Sequence, residues 1–261
     1  MIVVKFGGHA MKDENGLFAA AIKSVQNHGE KVVVVHGGGP QIDAALKAAG
    51  ITSEFKGGFR VTSPETFAVV NRVLASEIGP SLAVQLEERG IPAVSLSGFA
   101  DSILIAKKLS QLVDGEEADL GYVGTVTSVN IAPLEEALNR GKVVILSPVA
   151  RSVDGEHGYN VNADFSAAAV AGAIGASQLI VMTDVPGIYR NWPDRSTLIP
   201  SISADELSKI KGAFAEGMAP KVQACLDAIA HGARAVRIID GTDSTSFEKA
   251  LAGQGGTLVS A

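Results

Sequence analysis

Apolar runs rich in β-branched residues recur along the chain and alternate with segments of helical periodicity, which restricts it to few folds. Residues 2–6, 32–35, 93–96, 143–146, 179–182 and 236–239 are apolar through most of their length rather than at every second position. That is the pattern of strands buried on both faces of a parallel sheet. Between them, residues 13–28 carry Leu17, Ala20, Ala21 and Val25 at helical spacing behind Asp13 as N-cap, and Ile42, Ala45 and Leu46 lead a second helix. A long helical pattern over residues 64–89 carries Phe67, Val70, Val73, Leu74 and Ile78, more apolar surface than one core face needs, which suggests a subunit interface. Shorter helices are expected over 133–140, from 164 to about 175, over 204–210, after Pro220 and over 245–251, and a hairpin excursion over 97–130. Strands alternating with helices predict βαβ units, hence an α/β fold: a three-layer αβα sandwich with a mainly parallel central sheet.

The first strand breaks its own pattern with Lys5, and Gly7 and Gly8 follow at once. In open α/β sheets ligands bind beyond the carboxyl ends of the strands, so Lys5 is placed to meet an anion held over backbone N–H groups, most simply a phosphate. A lysine snorkelling from an edge strand explains the same residues. The second strand also ends in glycine, His36-Gly37-Gly38-Gly39-Pro40, before a helix. This is a second place for anionic or backbone-contacted atoms, but its spacing is not G-x-G-x-x-G, and no acidic residue stands in register for a dinucleotide ribose.

Further polar residues fall at other element ends. Arg60 offers a planar fork suited to a carboxylate, or is a surface arginine of a β-ribbon. Asn160 and Asn162 project together if their segment is extended, and Asp164 after them reads equally as an N-cap. Asp184 opens a turn-rich loop. Lys221 sits in the first turn of a helix led by Pro220, where it opposes the helix dipole unless an anion offsets it.

Composition narrows the partners. A net charge of −6 argues against nucleic acid or an acidic membrane surface, so a polyanionic ligand must be met by a few placed cations. The single cysteine, Cys225, rules out an internal disulfide and fits a reducing cytoplasm. The N-terminus has no signal-peptide pattern, and no uninterrupted apolar run approaches the roughly 20 residues that span a bilayer. No serine or cysteine nucleophile pairs with a plausible histidine, and no cluster has metal-ligand spacing. A set rich in cations and backbone donors suits phosphoryl transfer, where the protein positions reactants and stabilises charge.

Seven segments in order along the chain carry a resemblance: Val4-Lys5-Phe6-Gly7-Gly8-His9-Ala10-Met11, Val35-His36-Gly37-Gly38-Gly39-Pro40, Gly58-Phe59-Arg60-Val61-Thr62, Asp119-Leu120-Gly121-Tyr122-Val123-Gly124, Tyr159-Asn160-Val161-Asn162-Ala163-Asp164, Thr183-Asp184-Val185-Pro186-Gly187 and Gly217-Met218-Ala219-Pro220-Lys221-Val222. Together they resemble the amino acid kinase family, and within it the acetylglutamate kinases. The resemblance implies ATP-dependent phosphorylation of the γ-carboxylate of N-acetyl-L-glutamate to an acyl phosphate in arginine biosynthesis. Residues 1–175 would form an amino-acid substrate lobe and residues 176–261 a nucleotide-binding lobe, on one continuous sheet.

The same resemblance implies the roles. Lys5 and Lys221 would neutralise the transferring phosphoryl group while Asp164 orders their ammonium groups. Gly7 and Gly8 would donate backbone N–H groups to phosphate. Asp184, Val185, Pro186, Gly187, Ile188 and Tyr189 would line the nucleotide pocket, with Mg bridging the phosphates of ATP. Gly38, Gly39, Arg60, Asn160 and Asn162 would hold the acylated amino acid. A chain that opens on its first strand, without the extra N-terminal helix of arginine-inhibited members, is expected to be a cytoplasmic homodimer that arginine does not inhibit. Thr125, residues 110–113 and the loop 190–195 depart from the family pattern, the first two near the substrate rim where they bear on the acyl group and chain length; acyl-aminoadipate, glutamate or aspartate are the alternative acceptors. A non-catalytic amino-acid or nucleotide sensor on the same fold is the other alternative.

Overall fold

Valine at both parities of the first two strands requires cover on both faces, and both faces are covered. In the computed structural model, which describes residues 1–7, 16–214, 217–243 and 245–261, Val3, Val33 and Val35 pack with Leu134, Ala167, Val170 and Val222. Ile2, Val4, Val32 and Val34 pack on the other side with Phe18, Ile22, Leu86 and Phe247. Those partners belong to helices on opposite faces, so the architecture is the expected three layers.

The strands are β1 (Ile2–Phe6), β2 (Val32–His36), β3 (Phe55–Lys56), β4 (Phe59–Arg60), β5 (Ala93–Ser97), β6 (Leu104–Lys108), β7 (Gly124–Val129), β8 (Val143–Ser147), β9 (Val149–Ser152), β10 (Gly158–Asn160), β11 (Gln178–Thr183), β12 (Ser201–Ser203), β13 (Ala235–Asp240) and β14 (Thr257–Ser260). The helices are α1 (Leu17–Asn27), α2 (Gly39–Ala48), α3 (Pro64–Asn71), α4 (Gly79–Glu88), α5 (Ala132–Asn139), α6 (Ala163–Ala173), α7 (Ala204–Ile210), α8 (Ala219–Ala230) and α9 (Ser246–Leu251).

The central sheet runs β12-β14-β13-β11-β1-β2-β8-β5. All its pairings are parallel except β13 with β14. From β1 the chain goes on to β2 on one side, and from β11 to β12, β13 and β14 on the other. The crevice beyond the carboxyl ends of β1 and β11 is therefore where a ligand is expected.

The central sheet takes strands from both halves of the chain, and two smaller elements accompany it. A second sheet, β10-β9-β6-β7, and the ribbon β3-β4 stand apart from the central one. The hairpin expected in 97–130 is the antiparallel pair β6-β7. Strands β9 and β10, four and three residues long, escape a pattern search because they are too short to show a period. The expected helix start at Asp13 lies outside the described residues, and α1 begins at Leu17 after Gly16 in a left-handed conformation (φ 67°).

The long helical run is continuous but not uniform. Between α3 and α4 the seven residues Arg72–Ile78 form a wide π-helical segment. The whole run Pro64–Glu88 is, by length and composition, able to cross a bilayer. A search for uninterrupted apolar runs misses it because Arg72 and Glu77, which pair with one another, interrupt its middle. In the fold its Val70, Val73, Leu74 and Ile78 pack against Ile42 and Leu46 of α2.

Close approach of α6 and α8 positions the chemistry described below. A Cβ at Gly172 of α6 would lie 2.5 Å from the Cβ of His231 just after α8, so only glycine lets the two helices come this near. The small residues Ala167, Ala171, Ala224 and Ala228 fill the layer around them.

Candidate active site

Lys5 shares the parity of Val3 and points to the face covered by α6 and α8. There its Nζ lies 3.1 Å from Oδ1 of Asp164, while Nζ of Lys221 lies 3.0 Å from Oδ2. The Lys5 ammonium also donates to the carbonyl of Met182, at 3.4 Å. All three charged groups are largely removed from water, Asp164 being 3% and Lys5 8% exposed. Burial by itself pushes the Asp164 carboxyl up, but the charges of Lys5 and Lys221 and their hydrogen bonds pull harder and lower it to about 2. Burial likewise presses Lys221 down, and Asp164 outweighs it, so Lys221 is raised. Asp164 thus stays ionised and Lys221 stays protonated at neutral pH.

Local sequence explains each placement. Asn162, not Asp164, caps α6: its Oδ1 accepts the backbone N–H of Asp164 at 2.8 Å. The Asp164 carboxylate is thereby left for the two lysines. The unfavourable dipole position of Lys221 in the first turn of α8 is offset by the same carboxylate. Gly7 lets the backbone pass close to the Lys5 ammonium, since a Cβ there would lie 3.0 Å from Cε and 3.1 Å from Nζ of Lys5.

These residues open onto a cavity of about 280 Å³ lined by Lys5, Gly7, Gly38, Gly39, Arg60, Asn160, Asn162, Asp164 and Lys221, together with Phe55, Phe59 and Val123. The first turns of α2, α6 and α8 all contribute to its wall. Their positive ends add to a field that favours an anionic ligand. A larger cavity of about 530 Å³ lies between α1 and α9, but its lining includes Glu30 and Glu248 and no described lysine or arginine. The convergence of cations singles out the smaller cavity.

In its wall Arg60 is buried rather than a surface ribbon residue, its side chain only 5% exposed. Its Nη1 donates to Oδ1 of Asp43 at 2.6 Å and to Ser53, and its guanidinium lies 4.5 Å over the ring of Phe55. Asn160 donates to the Thr62 hydroxyl at 3.2 Å, and that hydroxyl donates to the carbonyl of Arg60 at 2.7 Å, so the two residues share one hydrogen-bonded frame. The Phe59 ring stacks on Phe165 at 5.8 Å.

The glycine turn after β2 is braced from below. The buried His36 has Nδ1 2.8 Å from the carbonyl of Gly37, which can only accept, and Nε2 2.9 Å from the Ser147 hydroxyl. That hydroxyl is in turn 3.1 Å from the carbonyl of Leu74 in the π-helical segment. Burial lowers the His36 pKa to about 4, so the ring is neutral.

Not every expected residue joins the cavity. Gly8 lies outside the described residues. Residues 184–189 do not line it; Asp184 and Pro186 are exposed beside it in sequence, and the Asp184 charge contributes to raising Lys221. Ile188 is fully buried among core residues, with its backbone N–H on the hydroxyl of Thr257, and Tyr189 bridges to Leu198. Sequence reading missed Asp43, Ser53, His36 and Ser147. Of these, only Asp43, an acid one turn past a glycine-opened helix start, carries a signal that could have been noticed.

The chain matches the Amino acid kinase family over residues 1–240. It is 46% identical over 242 residues to the acetylglutamate kinase of Streptomyces avermitilis, covering 92% of this chain and 80% of that one. A Corynebacterium diphtheriae acetylglutamate kinase is 41% identical over 263 residues, 99% of this chain and 84% of the relative. Among solved structures, a Streptococcus mutans UA159 protein superposes with a TM-score of 0.83 at 31% identity, covering 100% of this chain and 98% of its own.

Proposed function

Because the chain belongs to the amino acid kinase family, we propose that it is an acetylglutamate kinase, transferring the γ-phosphoryl group of ATP to the γ-carboxylate of N-acetyl-L-glutamate. The product is an acyl phosphate for arginine biosynthesis. The observation that carries this reading is one carboxylate, Asp164, joining the ammonium groups of Lys5 and Lys221 in the wall of a cavity that a buried arginine also lines.

The chemistry asks for this arrangement. A γ-carboxylate with a pKa of about 4.3 is already ionised at neutral pH, so no general base is needed. Asp164, ion-paired with two ammonium groups, orders them instead of taking a proton. The barrier is an anion approaching a polyanion, a repulsion of about 4 kcal/mol per charge pair at 4 Å and an effective dielectric of 20. As the carboxylate oxygen bonds to the γ-phosphorus and the bond to ADP breaks, Lys5 and Lys221 meet the charge spread over the transferring oxygens. Mg would offset part of the charge on the phosphates of ATP.

In this reading Arg60 and Asn160 bind the amino acid, with Gly38, Gly39 and Asn162 around it. Gly7, Gly8 and residues 184–189 face the nucleotide. Residues 1–175 form the substrate lobe and 176–261 the nucleotide lobe of a cytoplasmic homodimer. The test is hydroxamate trapping of the acyl phosphate across N-acetyl-L-glutamate, acyl-aminoadipate, glutamate and aspartate. N-acetyl-L-glutamate should give the highest kcat/KM, and a higher value for another acceptor would reassign the substrate.

A further inference from the structure

Arg60 is gripped on one side only. Its Nη1 meets Asp43 Oδ1 and the Ser53 hydroxyl, Ser53 also donates to the same Asp43 oxygen at 2.9 Å, and the Phe55 ring closes one face of the guanidinium. Its remaining N–H groups have no partner among the described residues, although the side chain is buried in the cavity wall. We propose that Asp43 is a positioning residue: by occupying one amino group of Arg60 it fixes the guanidinium so that the other N–H groups are left for a carboxylate of the amino-acid substrate. The proposal rests on the acceptor being an acidic amino acid, as above.

Two further observations support it. Asp43 lies on α2, whose first turn supplies Gly39 and Pro40 to the cavity, while Arg60 lies on β4 of the ribbon opposite. The pair therefore ties α2 to the ribbon, two elements that both line the cavity. Asp43 is also half-exposed, at 48% of its side chain, and an ordinary pair of that kind contributes little to stability. Its partner is different: a buried guanidinium without a counter-charge is free to swing toward whatever anion is near, and loses the preset geometry that makes bidentate recognition selective. The hydrogen bond from Arg60 holds the Asp43 carboxyl below its ordinary range, so it remains an acceptor throughout the working pH range.

A double-mutant cycle separates positioning from mere support of the fold. Asp43→Ala should raise KM for the amino acid about tenfold, the scale of a lost charge-assisted hydrogen bond, with kcat and KM for ATP little changed. Asp43→Asn keeps an acceptor oxygen in place and should recover most of the loss. In an Arg60→Ala background Asp43→Ala should add nothing. An equal rise in both backgrounds, a fall in kcat alone, or no change in KM would overturn the assignment. The cycle is run on whichever amino acid of the panel the wild type phosphorylates best and repeated by calorimetric binding of N-acetyl-L-glutamate, so a wrong substrate and a wrong role for Asp43 give different results.

Discussion

Lys5 and Lys221, from β1 and α8, take opposite oxygens of the single Asp164 carboxylate, at 3.1 and 3.0 Å. Neither lysine has to find its place when the nucleotide arrives, because the carboxylate has already set both. That is preorganisation in the sense that matters for catalysis: the charges are aimed before the reaction demands them.

Gly7 guards that aim. Gly7→Ala would put a methyl group 3.0 Å from Cε and 3.1 Å from Nζ of Lys5, and the flexible end of the lysine, not the backbone, would yield. The expected outcome is a kcat lowered by up to about 10²-fold, the scale of a misplaced reactive group, with a melting temperature close to wild type. Steady-state kinetics beside a thermal melt checks both parts. A fall in melting temperature with unchanged kcat would mean that Gly7 serves the fold.

Arg60 acts differently from the lysines. Its contact with the amino acid is alike in ground and transition states, so Arg60→Ala should raise KM for the amino acid with kcat nearly unchanged. Initial rates over a range of amino-acid concentrations at saturating ATP decide it. A fall in kcat with KM constant would place Arg60 in the chemical step.

Two buried groups should contribute to the acid limb of stability in different pH ranges. The folded pKa of His36 is depressed from 6.5 to about 4, so the unfolded chain binds the proton more readily between those values. The stability His36 contributes is fully present above pH 6.5 and is lost as pH falls toward 4. For Asp164, depressed from 3.8 to about 2, the contribution is present above pH 3.8 and lost below it. Thermal melts of His36→Gln should flatten the slope between pH 6.5 and 4 and leave the region below unchanged. An unaltered slope would mean that another group titrates there.

The fold was legible where strands are long and buried on both faces, as in β1, β2, β8 and β11, because an all-valine run has few other uses. Strands β9 and β10 were not, being too short to carry a period, and the π-helical segment has no sequence signature distinct from an α-helix. In the site, Lys5 and Lys221 could be suspected because each sits where a cation is unfavourable without a partner. Asp164 looked like a cap because it stands at a helix start, and only in the folded chain is Asn162 seen in that post. Asp43 carried only a faint signal, for the opposite reason: an acid on a helix surface asks for little explanation until Arg60 folds onto it.

The central claim is that the two ammonium groups on Asp164 stabilise the phosphoryl group in transfer, and kcat for ATP-dependent hydroxamate formation in Lys5→Met and Lys221→Met tests it most directly. Each substitution should lower kcat by about 10²-fold or more, the scale of a lost charge stabiliser, with the variants still folded by thermal melt. A folded variant of either lysine with wild-type kcat would contradict the account.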